Sequence, residues 1–231
     1  MTETDATPND TSPAATAAPT SDLAERFERV RSRTERLAAP LSPEDQVVQS
    51  TPDISPTKWH RAHTTWFFAE FVLGADGQSG RAWDRPELRF LFNSYYDAVG
   101  ARHPRPDRGL LTRPSLSEVE AYRRAVDDEM HELLSSGDLD DATAEAVRLG
   151  THHEEQHQEL LLIDIKHVLS ANSAIAPAYV ERAVPRAADP GPTGFVEFTG
   201  GIVTIGLDVG ARVAAGGFAF DNEGPVHEVR V

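Results

Sequence analysis

The residues best suited to chemistry in this 231-residue chain gather in one short run, HHEEQHQE at 152–159. On an α-helix each residue advances by about 100°, so His153 and His157 project from one face, one turn apart. That spacing lets a helix offer two imidazoles to a single metal ion. Gln156 points into the same region, whereas Glu155 and Glu159 turn away from both ligands, toward solvent or an outer supporting role. A second stretch, SPTKWHRAHTTWFFAEFVLG, carries His60 and His63. Steps of three and four place Trp59, His63, Trp66, Phe67 and Glu70 on one face. His63 is the preferred third ligand because it lies four residues from both Trp59 and Phe67. His60 competes for that role and is otherwise expected to be a partly exposed polar residue. Three neutral imidazoles leave coordination positions open for water, substrate or dioxygen, and they suit Zn, Fe, Cu or Ni alike. The chain has no cysteine, so thiolate ligands, disulfides and cysteine nucleophiles are all excluded.

Several amphipathic helices must position these groups. The first is expected over Leu23–Ala39, with Leu23, Phe27, Val30 and Leu37 as its apolar stripe and Pro40 and Pro43 ending it. The His63 helix is expected to open with Ser55 as N-cap and Pro56 in the first turn, and to stop at Gly74. A shorter helix is predicted over 87–99. The loop GARHPRPDRGLLTRPS, rich in proline and arginine, reads as irregular. Ser115 and Glu118 then form a capping box. The helix they open aligns Val119, Tyr122, Val126, Met130 and Leu133 and closes near Gly137. The last helix runs from about Asp141 to Ser170, with Leu149, His153, His157, Leu160, Leu161, Asp164 and Val168 on one broad stripe. Gly150 costs it about 1 kcal/mol relative to alanine, a cost that close approach of a neighbouring helix would explain. The pattern predicts a mainly α fold, a helical bundle whose interior holds the histidines.

Outside the bundle, residues 1–21 read as a disordered tail and 173–194 as a linker rich in Ala, Pro and Gly. In FVEFTGGIVTIG two short strands are expected around a Gly200-Gly201 turn, and 217–231 reads as a loop entering another strand. The 37 residues from 195 onward are too few to bury a core of their own. They are expected to begin a second domain whose remainder is missing. With 22 basic against 37 acidic residues and a formal net charge of -15, the surface should repel nucleic acid and anionic lipid. No apolar run approaches the length of a membrane span, and the N-terminus does not read as a secretory signal. The absence of cysteine fits an expected cytoplasmic setting. There is no G-x-S-x-G elbow and no glycine-rich phosphate loop, and Asp127-Asp128 reads as a solvated helix face.

The segments SPTKWHRAHTTWFF, FLFNSYYDAVGARHPRPDRGLLTRPS and THHEEQHQELLLIDIKHVLS closely resemble the N-terminal domain of the EgtB sulfoxide synthases of ergothioneine biosynthesis. That domain is a DinB-like four-helix bundle, here 22–172. GFAFDNEGPVHEV resembles the opening of the formylglycine-generating-enzyme-like domain that follows it in the family, an α+β domain also described as sulfatase-modifying-factor or C-type-lectin-like. The resemblance implies a non-haem Fe(II) held by His63, His153 and His157. It implies an O2-dependent reaction that joins cysteine or γ-glutamylcysteine to the imidazole C2 of hercynine (Nα-trimethylhistidine), giving a sulfoxide. It assigns Gln156 to the imidazole substrate, and Arg105 and Arg108 to the thiol substrate. The family's catalytic tyrosine belongs to the second domain, so no catalytic residue is assigned in this chain. The chain alone is therefore expected to bind metal at most moderately and not to turn over. A zinc-dependent thiol transferase on the same bundle and a non-catalytic interaction domain are the alternatives.

Overall fold

The computed structural model describes residues 20–74, 79–94, 96, 99–171, 174, 178–179, 189, 191–214 and 217–231. Nearly all of the expected tail, most of the expected linker and Tyr95 lie outside the described residues. The chain divides into two units, one running Pro19–Arg186 and one that includes Ala187–Val231. No helix of the described residues is long and apolar enough to cross a membrane.

The larger unit is helical: α1 (Thr20–Ala38), α2 (Thr57–Phe71), α3 (Pro86–Phe92), α4 (Leu116–Ser136) and α5 (Asp141–Ser170). α1 packs on α4 and α5, and α2 packs on α3, α4 and α5. The capping box of α4 forms as the sequence predicts, with Glu118 N–H donating to Ser115 Oγ and Ser115 N–H donating to Glu118 Oε2. Gly137 ends α4 at φ 73°, in the left-handed region that glycine adopts without penalty. Asp140 caps α5 by accepting from Thr143 N–H at 2.7 Å. The core packs Phe27 of α1, Trp59, Trp66 and Phe68 of α2, Phe92 of α3, Val126 and Met130 of α4 and Val147 of α5. At Gly150 an added Cβ would sit 2.5 Å from Phe68 Cε1, so the missing side chain is what lets α5 lie against the α2 aromatics.

Several expectations need correcting. α2 is buried around its whole circumference from Thr57 to Ala69, polar residues included. Its charges are tolerated because each finds a partner: Lys58 Nζ donates to the carbonyls of Leu111 and Pro114, and Arg61 pairs with Glu35 and Glu120. Ser55 does not cap α2. Its N–H donates to Asp164, its hydroxyl accepts from Arg108, and Pro56 occupies the cap position. α3 stops at Phe92 because the Asn93 side chain takes over the local backbone, accepting from Tyr96 N–H and donating to the carbonyls of Tyr96 and Gly100. The arginine-rich loop contains a 3-10 helix, Arg105–Leu110, clamped by Gln49, whose amide donates to Arg105 O and accepts from Gly109 N–H. On α4 the buried residue is Leu134, not Leu133.

In the smaller unit, β1 (Ile202–Ile205) pairs antiparallel with β2 (His227–Arg230), with a short helix α6 (Val209–Ala214) between them. The expected hairpin at Gly200-Gly201 does not form. Gly201 instead extends the ladder, exchanging both backbone hydrogen bonds with Val231, so it cannot serve as a turn.

Candidate metal centre

α2 and α5 bring His63, His153 and His157 together, with one potential ligand atom from each lying within 4.8 Å of the others. His63 is the most firmly held. Its ring lies between those of Trp59 and Trp66, stacked at centroid distances of 4.5 and 5.4 Å. Its Nδ1 meets the Phe92 carbonyl at 2.6 Å, so Nδ1 carries the proton and Nε2 keeps its lone pair. That Nε2 faces His153 Nε2 at 3.2 Å. Two imidazole nitrogens at this separation require a proton or a cation between them, and this is the geometry on which a shared metal fits. His153 Nδ1 is buried and has no hydrogen-bond partner among the described residues.

The electrostatics favour neutral imidazoles. Burial pushes His63 and His157 well below the usual histidine range, and the neighbouring rings push them further. Burial likewise takes His153 down to about 4, against the opposing pull of Glu154. A buried histidine that stays neutral destabilises the fold once the unfolded chain protonates. Its contribution is full above the unfolded pKa of about 6.5 and is lost as pH falls from there through the folded value. For His153 the loss continues down to about pH 4. The urea midpoint of the metal-free chain is therefore expected to fall steadily between pH 6.5 and 4. A flat midpoint across that window would contradict buried neutral histidines.

His60 is not the partly exposed residue that the sequence suggests. It is buried, with Nε2 3.0 Å from Asp164 Oδ2 and Nδ1 2.9 Å from His157 Nδ1. The α5 stripe also needs correcting. Leu161, Asp164 and Val168 are buried as the stripe predicts, but Leu149 is 38% exposed, and the buried face also takes in Val147, Gly150, Thr151, Glu154, Gln158 and Ile165. The face is centred on Glu154, fully buried between Arg31 of α1 and Arg123 of α4, so the histidines sit at its edge, where a cavity opens. Glu155 is exposed and pairs with Arg26, as its position on the outer side predicts. Asp127 is not simply solvated: it pairs with buried Arg31.

The cavity, about 290 Å³, is lined by all four histidines together with Gln156, Arg105, Arg108, Trp59, Tyr96 and Leu160, among others. Arg108 is buried and held in place from three sides. Its guanidinium donates to Ser55 Oγ at 2.8 Å and Ser94 Oγ at 3.1 Å and lies 3.4 Å from the Trp59 ring centroid. Arg105 and Gln156 are exposed at the mouth. The sequence reading missed Glu154, Asp164 and Tyr96. Asp164 lay on the predicted inner stripe, and Glu154 was signalled only indirectly, by Arg31 and Arg123 at core positions of α1 and α4.

Fold and site together define a helical-bundle protein whose three-imidazole cluster can hold a metal ion beside a polar cavity. The DinB superfamily pattern matches residues 26–161, more than half of the chain, and the chain belongs to that superfamily. Its domains are often metal-dependent enzymes. None of the curated proteins compared with the chain matches it.

Proposed function

We propose that the chain is the metal-binding part of a non-haem iron, O2-dependent sulfoxide synthase that joins a cysteine-type thiol to C2 of hercynine in ergothioneine biosynthesis. His63, His153 and His157 hold the Fe(II), and 195–231 opens a formylglycine-generating-enzyme-like domain. The observation that carries this reading is the convergence of three neutral imidazoles, an amide and two guanidinium groups on one cavity. Bound Fe(II) would supply dioxygen activation and a point at which both substrates are oriented.

The chain's own residues do the rest. Gln156 hydrogen-bonds the substrate imidazole at the cavity mouth. Arg108 and Arg105 take the carboxylate of cysteine or γ-glutamylcysteine, and Arg108 is already oriented by Ser55, Ser94 and Trp59. Trp59, Tyr96 and Leu160 supply apolar wall that limits water.

Three imidazoles with an open fourth position equally suit zinc, which keeps a zinc-dependent thiol transferase as the second reading. Anaerobic loading with Fe(II) or Zn(II), followed by calorimetric titration with hercynine, separates the two. Hercynine is expected to bind the Fe(II)-loaded chain and not the metal-free chain, with affinity about tenfold lower in Gln156→Ala for one lost hydrogen bond. A chain that ignores hercynine in both metal forms and conjugates a thiol with Zn(II) would favour the transferase.

A further inference from the structure

We infer that His60 and Asp164 form a positioning relay that sets the tautomer of His157 and so decides which of its nitrogens can hold a metal. The inference rests on the metal-centre reading above and extends it to two residues outside the ligand set.

The hydrogen bonds around His60 fix the protons one after another. Asp164 Oδ2 accepts from Ser55 N–H at 2.9 Å and lies 3.0 Å from His60 Nε2. An ionised carboxylate only accepts, so the proton of His60 is on Nε2. A neutral imidazole has one donor and one acceptor, which leaves His60 Nδ1 with the lone pair. That nitrogen lies 2.9 Å from His157 Nδ1, and two lone pairs cannot meet there. His157 Nδ1 is therefore the donor, and Nε2 is left as its only basic nitrogen.

His63 reaches the same end by another route, with Nδ1 donating to the Phe92 carbonyl. Two of the three candidate ligands are thus held in one tautomer, one by a backbone carbonyl and one by a histidine–carboxylate pair. The pair also ties α2 to α5 at the site. His157 and Asp164 stand two turns apart on one side of α5, and His60 of α2 bridges them. His60 is not itself a member of the three-residue cluster. Its Nδ1 is directed at a ligand's outer nitrogen, where a group that orients a metal ligand belongs.

The test uses the full metal-free chain and long-range 1H–15N correlation spectra of its imidazoles, followed by Co(II) titration. The expected result is His157 protonated on Nδ1 and His60 on Nε2. His60→Phe should abolish the single His157 tautomer and weaken Co(II) binding about 10- to 100-fold. Asp164→Asn, which keeps the shape of the side chain, should move both readouts in the same direction by less. In each variant the Co(II) absorption bands at saturation should match wild type, because the ligand set is intact. His157 protonated on Nε2 in the wild-type chain overturns the relay. So do affinities within threefold of wild type in both variants, or a changed Co(II) spectrum that makes His60 a ligand. Wild-type chain that takes up no Co(II) overturns the metal centre itself, a distinct result from a bound metal indifferent to His60 and Asp164.

Discussion

Alanine at His63, His153 or His157 is expected to lower transition-metal affinity on the order of a thousandfold, beyond the 10–100-fold that loss of a supporting partner costs. Each residue supplies one of the three candidate ligand atoms that lie within reach of one another among the described residues, so each loss removes a third of the set. His153→Ala is the cleanest of the three. His153 is only half-buried by its accessible surface, and its Nδ1 has no hydrogen-bond partner among the described residues, so beyond the coordination its replacement removes mainly the ring contact with Phe67. His63→Ala removes a ring packed between Trp59 and Trp66 and should also cost stability. Glu155→Ala is the matched control from the outer side of α5, where the carboxylate is exposed and paired with Arg26. Co(II) titration and elemental analysis after loading check the series. Unchanged metal content in His153→Ala would remove the basis for a three-histidine centre.

The shared face of His153 and His157 on α5 was legible because helical periodicity alone sets the relation between the two. The third imidazole was legible less directly. Aromatic neighbours pointed to His63, and it is the Trp59–His63–Trp66 stack that holds its ring in place. Helix ends followed local rules where the capping side chain had no tertiary competitor, as at Ser115 and Asp140. They failed where it did. Ser55 is committed to Asp164 and Arg108, and Asn93 turns the chain out of α3. The register of β1 was not legible either, because its partner lies at 227–230 rather than across the nearest glycine pair. His60 was misjudged for a related reason. Its burial follows from Asp164, a hundred residues away in sequence, accepting its proton, and nothing in the local pattern encodes that pairing.

Glu154 went unnoticed between two candidate ligands, yet its loss should have the largest effect on stability. Its carboxylate is fully buried and receives Arg31 at 2.9 Å, Arg123 at 2.7 Å and the Thr34 hydroxyl at 2.6 Å. Burial alone would raise its pKa, but Arg123 and Arg31 hold it at about 2. Glu154→Ala would leave two guanidinium groups in the core without their shared counter-ion, a change that costs about 3–5 kcal/mol. Asp127 on Arg31 and Glu35 on Arg123 remain, so the lower part of that range is expected. For a unit of this size the thermal midpoint should drop by about 10 °C. The two arginines sit at core positions of α1 and α4, one step from Phe27 and Val119 on the apolar stripes, and there lies the sequence signal. Two positive charges on inward stripes require an acid on a third helix. If the network serves stability through charge compensation alone, replacing Arg31, Glu154 and Arg123 together with apolar residues of similar volume should recover most of what Glu154→Ala loses. If the ion pairs also fix the rotation of α5, the triple variant should regain its thermal midpoint but bind Co(II) more weakly, since Glu154 neighbours His153 in the chain. Calorimetric melting of the single and triple variants, with Co(II) titration of each, separates the two roles.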